Sequence, residues 1–278
     1  MTLIAQTLQD TLAGRDRLIR HAFAGTQGGR DYLLGLPDAP VEGLILMLHG
    51  CGQDAADFAN GTRMDRIAGD AGFVTVWPEQ PSRANTNRCW NWFSSLHQGH
   101  DGEAGLLAAL AEEVAAEHGV PSGRIFVAGL SAGGAMAAVL GAERPDLFAA
   151  VGIHSGLPTG AARDVGGALS AMRAGTAGDP MAGRAIVFHG TEDGTVHPAN
   201  ALRITGLSSE SRPERTGTRG GRPYARHVRR DPAGHPLTEF WRIEGLGHAW
   251  SGGSDEGSFA DTTGPNASAE MLRFFLAA

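Results

Sequence analysis

Arg124-Ile125-Phe126-Val127-Ala128-Gly129-Leu130-Ser131-Ala132-Gly133 decides the reading of this chain. An apolar run of strand character feeds a G-x-S-x-G pentapeptide, and an Ala-rich stretch of helical character, 132–143, opens directly behind it. The pentapeptide alone carries little, since a chain with 41 glycines yields roughly 0.3 such matches by composition. Its setting carries more, because strand, sharp turn and helix in that order would hold the Ser131 hydroxyl above the edge of a sheet. Glycines two residues either side let the strand and helix backbones approach without Cβ clashes. The Ala132 amide, first in the helix, points toward the same space and can stabilise an oxyanion. A turn that merely happened to contain serine would predict no base and no acid downstream.

Outward from this segment, short apolar runs at 44–48, 74–77, 148–153, 185–188 and 239–243 end in Gly or polar loops, and an earlier one covers 30–36. Helical stretches at 103–117, 200–207 and 267–276 alternate with them. That alternation predicts an α/β fold, a mostly parallel central sheet with helices on both faces. Residues 159–183 read as a helical excursion near the site mouth. In the polar stretch 208–235 and just beyond it, 222–230 and 236–242 flank the turn signal Asp231-Pro232-Ala233-Gly234, which predicts a hairpin extension. The expected organisation is an N-terminal helical segment over 1–29 and one catalytic domain over 30–278.

Composition narrows the chemistry. With 42% hydrophobic and 19% charged residues over 278 positions, the chain is of ordinary globular type. All 23 basic side chains are arginine, which removes Schiff-base chemistry, a P-loop lysine and a Ser-Lys dyad. A net charge of −7 and a basic cluster at 212–230 without stacking aromatics argue against nucleic acid as a partner. Residues 1–20 place Leu and Ile among polar residues at helical spacing, with no continuous apolar core of a signal peptide. No run of 18 apolar residues occurs, so no membrane partner is expected. The expected location is cytoplasmic, with an extracellular one as the alternative.

The base and acid should lie on loops after later strands, in the order serine, acid, histidine. After 185–188 comes His189-Gly190-Thr191-Glu192-Asp193, offering Glu192 or Asp193 as the acid. After 239–243 comes Gly245-Leu246-Gly247-His248-Ala249-Trp250, in which His248 alone of the chain's histidines both follows the acid and lies on the last strand's loop, beside a bulky Trp; His49, His154, His189 and His197 near other strand ends and His235 in the expected hairpin do not. His49-Gly50-Cys51-Gly52 follows the strand 44–48 and marks a loop whose Cys51 amide can be the second oxyanion donor. Trp90 and Trp250 are candidates to line an apolar substrate pocket, whereas Trp92 reads as a core aromatic. No metal-ligand spacing occurs, and no cofactor is expected.

With these residues in hand, the chain resembles the poly(3-hydroxybutyrate) depolymerase-like esterase family of α/β-hydrolases, whose relatives include feruloyl and acetylxylan esterases. The resemblance spans roughly 30–275. It rests on the elbow together with His49-Gly50-Cys51-Gly52-Gln53-Asp54, Trp77-Pro78-Glu79-Gln80, Asn87-Arg88-Cys89-Trp90-Asn91-Trp92-Phe93, the His189 to Asp193 segment and Gly247-His248-Ala249-Trp250-Ser251-Gly252-Gly253. It implies the α/β-hydrolase fold, a triad of Ser131, Asp193 and His248, and closeness of Cys51 and Cys89 such that a disulfide can form beside the oxyanion loop. Cytoplasmic thiols are usually reduced, so that bond stays open at this point. The implied substrates are 3-hydroxybutyrate oligomers, amorphous polyester granules or small esters. A feruloyl or acetylxylan esterase is the alternative within the class, and a non-catalytic binding protein on the same scaffold the alternative outside it.

Overall fold

Runs of five or six consecutive apolar residues are too short for core helices and too apolar for half-solvated strands, so they bury both faces in a parallel sheet. The computed structural model describes residues 18–175 and 180–277. Five such runs and one longer, mixed strand form the parallel centre of a ten-stranded sheet: β3 (Gly43–Leu48), β4 (Phe73–Pro78), β5 (Ile125–Leu130), β6 (Ala150–His154), β7 (Ala185–Gly190) and the mixed β10 (Pro236–Ile243). The first five are buried at every position.

An antiparallel pair closes each side: β1 (Leu18–Gly25) with β2 (Gly28–Gly35), and β9 (Arg222–Arg230) with β8 (Arg215–Arg219). The strand order is β1-β2-β4-β3-β5-β6-β7-β10-β9-β8. The outermost strand, β8, is exposed along its whole length. A two-stranded parallel sheet of β11 (Trp250–Ser251) and β12 (Ala260–Asp261) stands apart.

Alternation along each strand splits the interior into two cores. Leu44, Leu46, Leu48 and Val127 face α4 (Glu103–Glu117), α5 (Ala132–Glu143), α6 (Val165–Ala174) and α7 (Ala199–Thr205). Ile45, Met47, Phe126 and Ala128 face α1 (Ala55–Thr62), α2 (Met64–Gly69) and α8 (Ala267–Leu276). The short α3 (Ser95–Gln98) precedes α4. No described helix is long and apolar enough to cross a membrane.

One expectation is corrected over the part of it that the structure describes. Of the N-terminal helical segment at 1–29, residues 1–17 lie outside the described residues, and 18–25 form β1 rather than a helix. The chain turns through Gly28, at a positive φ of 122° that suits glycine, and pairs back from Leu18↔Gly35 to Gly25↔Gly28. Only Phe23 of β1 is buried, so an edge strand with one inward anchor imitates a polar helix in sequence. A boundary at residue 30 would cut β2, which belongs to the main sheet. Within the expected excursion at 159–183, α6 is the helix, and 176–179 lie outside the described residues.

Candidate active site

The serine sits where the sheet forces a tight turn. Ser131 joins β5 to α5 with φ 57° and ψ −118°, a strained conformation for a residue with a side chain. Both flanking glycines are sterically required. A methyl on Gly133 would stand 2.0 Å from the Leu48 carbonyl oxygen, and one on Gly129 would stand 2.4 Å from the Gly133 carbonyl carbon. The Ser131 amide donates to the His154 carbonyl at 2.9 Å, and the residue is only 8% exposed.

The loop after β3 lies against this turn, since a Cβ on Gly50 would come within 3.7 Å of the Ser131 Cβ. Its amides are nearly all engaged: Gly50 N donates to Gln53 Oε1 at 2.9 Å, Gln53 N to Gly50 O at 3.3 Å and Gly52 N to Asn87 O at 2.8 Å. The Cys51 amide has no acceptor among the described residues. Ala132, first in α5, has no carbonyl a turn behind it to accept its N–H. Two amides thus remain to donate beside the serine.

Asp193 and His248 come together from loops after β7 and β10. His248 Nδ1 donates to Asp193 Oδ2 at 2.8 Å and stands 3.0 Å from Oδ1, which leaves Nε2 as the basic nitrogen. Glu192, the other acid offered by the sequence, is exposed. Asp193 Oδ1 also accepts the Thr195 and Val196 amides at 3.0 and 2.9 Å, and His189 Nε2 stands 3.3 Å from Oδ2. Burial would raise the Asp193 carboxyl, but the bonds from His189 and His248, the His248 charge and the Val196 amide outweigh it and hold the group well below the usual carboxylate range. The Ser131 hydroxyl is not hydrogen-bonded to His248, whose bonds among the described residues go to Asp193 alone.

Two further histidines, both fully buried, tie the loops together. His154 Nε2 accepts the Ser251 amide at 3.1 Å, and its ring stacks on Trp250 at 5.2 Å and on Phe188 at 5.8 Å. It therefore joins the Ser131 turn to the segment that follows His248. Burial, then the neighbouring His189, pushes it down to about 3. His49 Nδ1 donates to Gly50 O at 2.8 Å, and Nε2 accepts the Gln80 amide at 3.1 Å. Burial takes His49 down to about 4, against the opposing pull of the Gly50 carbonyl. Both are held neutral, as scaffold rather than as bases.

The tryptophans require correction as substrate contacts. Trp90 is 0% and Trp250 1% exposed. Each satisfies its indole N–H internally, Trp90 on His49 O at 3.0 Å and Trp250 on Ser268 Oγ at 3.1 Å. They brace the loops from inside the core and have no face left for a ligand. Trp92 is also buried, edge-on to Phe93. Cys51 and Cys89 are joined by a disulfide, with Cα atoms 4.3 Å apart. Below it, buried Glu103 accepts from Arg30, Gln80 and the Asn91 amide at 2.9, 2.6 and 2.6 Å.

A cleft of about 450 Å³ opens beside the loop after β3, between Cys51, Gly52, Thr86, Asn87 and Arg88. One of about 670 Å³ near Pro180, Leu202 and Leu207 contains none of the candidate residues. Among the described residues no three His, Cys, Asp or Glu side chains converge as a metal site. Missed in the sequence is Phe259, whose ring lies edge-on to His248 at 6.4 Å between centroids.

Residues 31–209 match the family model described as Esterase PHB depolymerase. The chain is 31% identical over 238 residues to a poly(3-hydroxyalkanoate) depolymerase C of Paucimonas lemoignei, covering 77% of this chain and 56% of that protein. It is 29% identical over 252 residues to a poly(3-hydroxybutyrate) depolymerase of Ralstonia pickettii, covering 79% and 51%. The chain thus spans about half the length of these curated relatives. An acetyl xylan esterase structure from Aspergillus awamori superposes with a TM-score of 0.69 at 19% identity, covering 94% of this chain and 99% of that one. At that identity the likeness is one of fold, the α/β-hydrolase fold.

Proposed function

The chain belongs to the PHB depolymerase esterase family, and from that membership we propose that it is a serine hydrolase cleaving 3-hydroxybutyrate oligomers, polyester or similar short-acyl esters. The observation that carries this reading is the 2.8 Å bond between His248 and Asp193 at the same C-terminal end of the parallel strands as a serine in a strained turn. His248 takes the Ser131 proton through Nε2 as the hydroxyl attacks the ester carbonyl. Asp193 fixes the tautomer and stabilises the imidazolium that forms. The Cys51 and Ala132 amides hold the oxyanion of the tetrahedral intermediate. The alcohol departs with the proton from His248, and water activated by the same imidazole then releases the acid from Ser131.

The β1–β2 hairpin extends the main sheet and is assigned to the same catalytic domain. The Cys51–Cys89 disulfide favours an extracytoplasmic place of action over a cytoplasmic one, because cytosolic thiols are kept reduced.

The test compares wild type, Ser131→Ala and Asp193→Asn on soluble 3-hydroxybutyrate oligomers, p-nitrophenyl acyl esters of graded length and methyl ferulate. The expected result is oligomer turnover that vanishes in Ser131→Ala and falls on the order of 10⁴-fold in kcat in Asp193→Asn. A preference for methyl ferulate moves the assignment to the plant-ester branch of the family. A wild type that turns over nothing, or a fully active Ser131→Ala, leaves a binding protein on a hydrolase scaffold.

A further inference from the structure

Phe259 breaks two ordinary rules at once. The residue is 50% exposed, although a large apolar side chain gains most by burial. Its backbone sits at φ 50°, where a bulky residue is strained. At fourteen described positions the chain meets a positive φ with glycine, yet here it carries the strain with an aromatic. Backbone strain that the surroundings over-determine clusters at functional sites, and Ser131 is another of the non-glycine residues in that region.

The surroundings do over-determine it. The Phe259 carbonyl accepts the Trp250 amide at 2.7 Å, two residues beyond His248, and the next residue opens β12 against β11. The preceding residue is clamped from the other side: Ser258 N donates to Asp57 Oδ1 at 2.8 Å, its hydroxyl donates to Asp57 Oδ2, and its carbonyl accepts from Gln53 Nε2 at 3.0 Å. Gln53 Nε2 also donates to Asp57 Oδ2 at 2.9 Å, while Gln53 Oε1 takes the Gly50 amide of the oxyanion loop at 2.9 Å. Phe259 is thus pinned to both loops that border the serine, with its ring edge-on to the His248 imidazole.

Position relative to the histidine selects the part of the substrate. The imidazole that protonates a leaving alkoxide must stand beside it, so the chain attached to that oxygen runs past His248, whereas the acyl half is held by the serine and the oxyanion amides. We propose that Phe259 is a specificity-determining residue that forms an apolar subsite for the alcohol half of the ester. In an oligoester that half is the next alkyl-bearing monomer unit. The inference rests on the reading of Ser131 and His248 as the reacting pair.

Two ester series test it on wild type, Phe259→Ala and Phe259→Gly. In one, the alcohol lengthens from methyl to hexyl on a fixed acetyl group, followed by pH-stat; in the other, the acyl chain lengthens on fixed p-nitrophenol. Phe259→Ala should lose on the order of 10-fold in kcat/KM for hexyl acetate, chiefly in KM, and little for methyl acetate. The dependence on acyl length should keep its slope. Phe259→Gly, free of the backbone strain, should reproduce that loss while its urea midpoint rises, which separates substrate contact from folding. Equal losses for methyl and hexyl acetate, or a changed acyl slope with an unchanged alcohol slope, overturn the subsite alone. A wild type inactive on every ester overturns the reading beneath it as well.

Discussion

Acid should unfold this protein over a range set by its two buried scaffold histidines. His49 and His154 lie at about 4 and about 3 in the fold, against an ordinary value of 6.5. Below pH 6.5 the unfolded chain binds protons that the folded chain refuses, so the stability present at neutral pH drains away on acidification. The loss runs down to about pH 4 for His49 and about pH 3 for His154. Each histidine removes about 1.4 kcal/mol per pH unit within its window. At pH 5 the two together remove about 4 kcal/mol, a large part of the 5–15 kcal/mol that holds an ordinary domain folded. Half-exposed His227, also lowered chiefly by burial, adds in the same direction. Asp193 is depressed below the carboxylate range, so it is ionised in both states above about pH 5 and contributes no slope there. Urea unfolding at pH 7.5, 6.5, 5.5 and 5.0 reads the effect directly. His154→Asn, which cannot titrate, should start less stable and lose about half as much on acidification. A stability that stays flat between pH 7.5 and 5.0 refutes the reasoning.

Two further perturbations address the serine turn and the loop after β3. Gly133→Ala pushes a methyl to within 2.0 Å of the Leu48 carbonyl oxygen and should cost about 3 kcal/mol or more; an unchanged melting temperature would mean that helix and strand separate freely at this point. Reducing the Cys51–Cys89 bond opens a loop spanning 38 positions and should lower stability by about 4 kcal/mol on the chain-entropy estimate, visible as a drop in urea midpoint with dithiothreitol that is absent in the double Cys→Ser variant.

The central sheet was legible because most of its strands are short, predominantly apolar runs, and three helices, α4, α5 and α8, have the expected bounds. The elbow was legible because two glycines and a serine at a strand end have few other uses. β1 and β8 were not, for a common reason: edge strands need only one face or none in the core, so the period of two is blurred. The short helix α1 follows an N-cap at Asp54, whose side chain accepts the Asp57 amide, and α2 starts after Arg63 with no side-chain cap; both are too brief for the period to stand out. In the site, chain order pointed to His248 and to Glu192 or Asp193, and the family resemblance chose Asp193 between the two acids. The roles of His49 and His154 did not, because both depend on partners brought close only by the sheet, such as Ser251 reaching back 97 positions. Trp90 and Trp250 misled because nearness in sequence to a reactive residue does not give the direction in which a ring points. Phe259 left no trace at all, since a positive φ at an aromatic has no sequence signature.

The bare outer strand β8 bears on how the protein behaves in concentrated solution. Arg215 and Arg219 stand at its two ends, exposed like the residues between them. An unpaired strand edge invites another chain to add its own strand. Arg219 is paired with Glu270, so it is chiefly Arg215 that a second such edge would meet with like charge, while Gly217 at the centre gives an intruding strand little to pack against. Those two features oppose strand addition at an edge that would otherwise invite it.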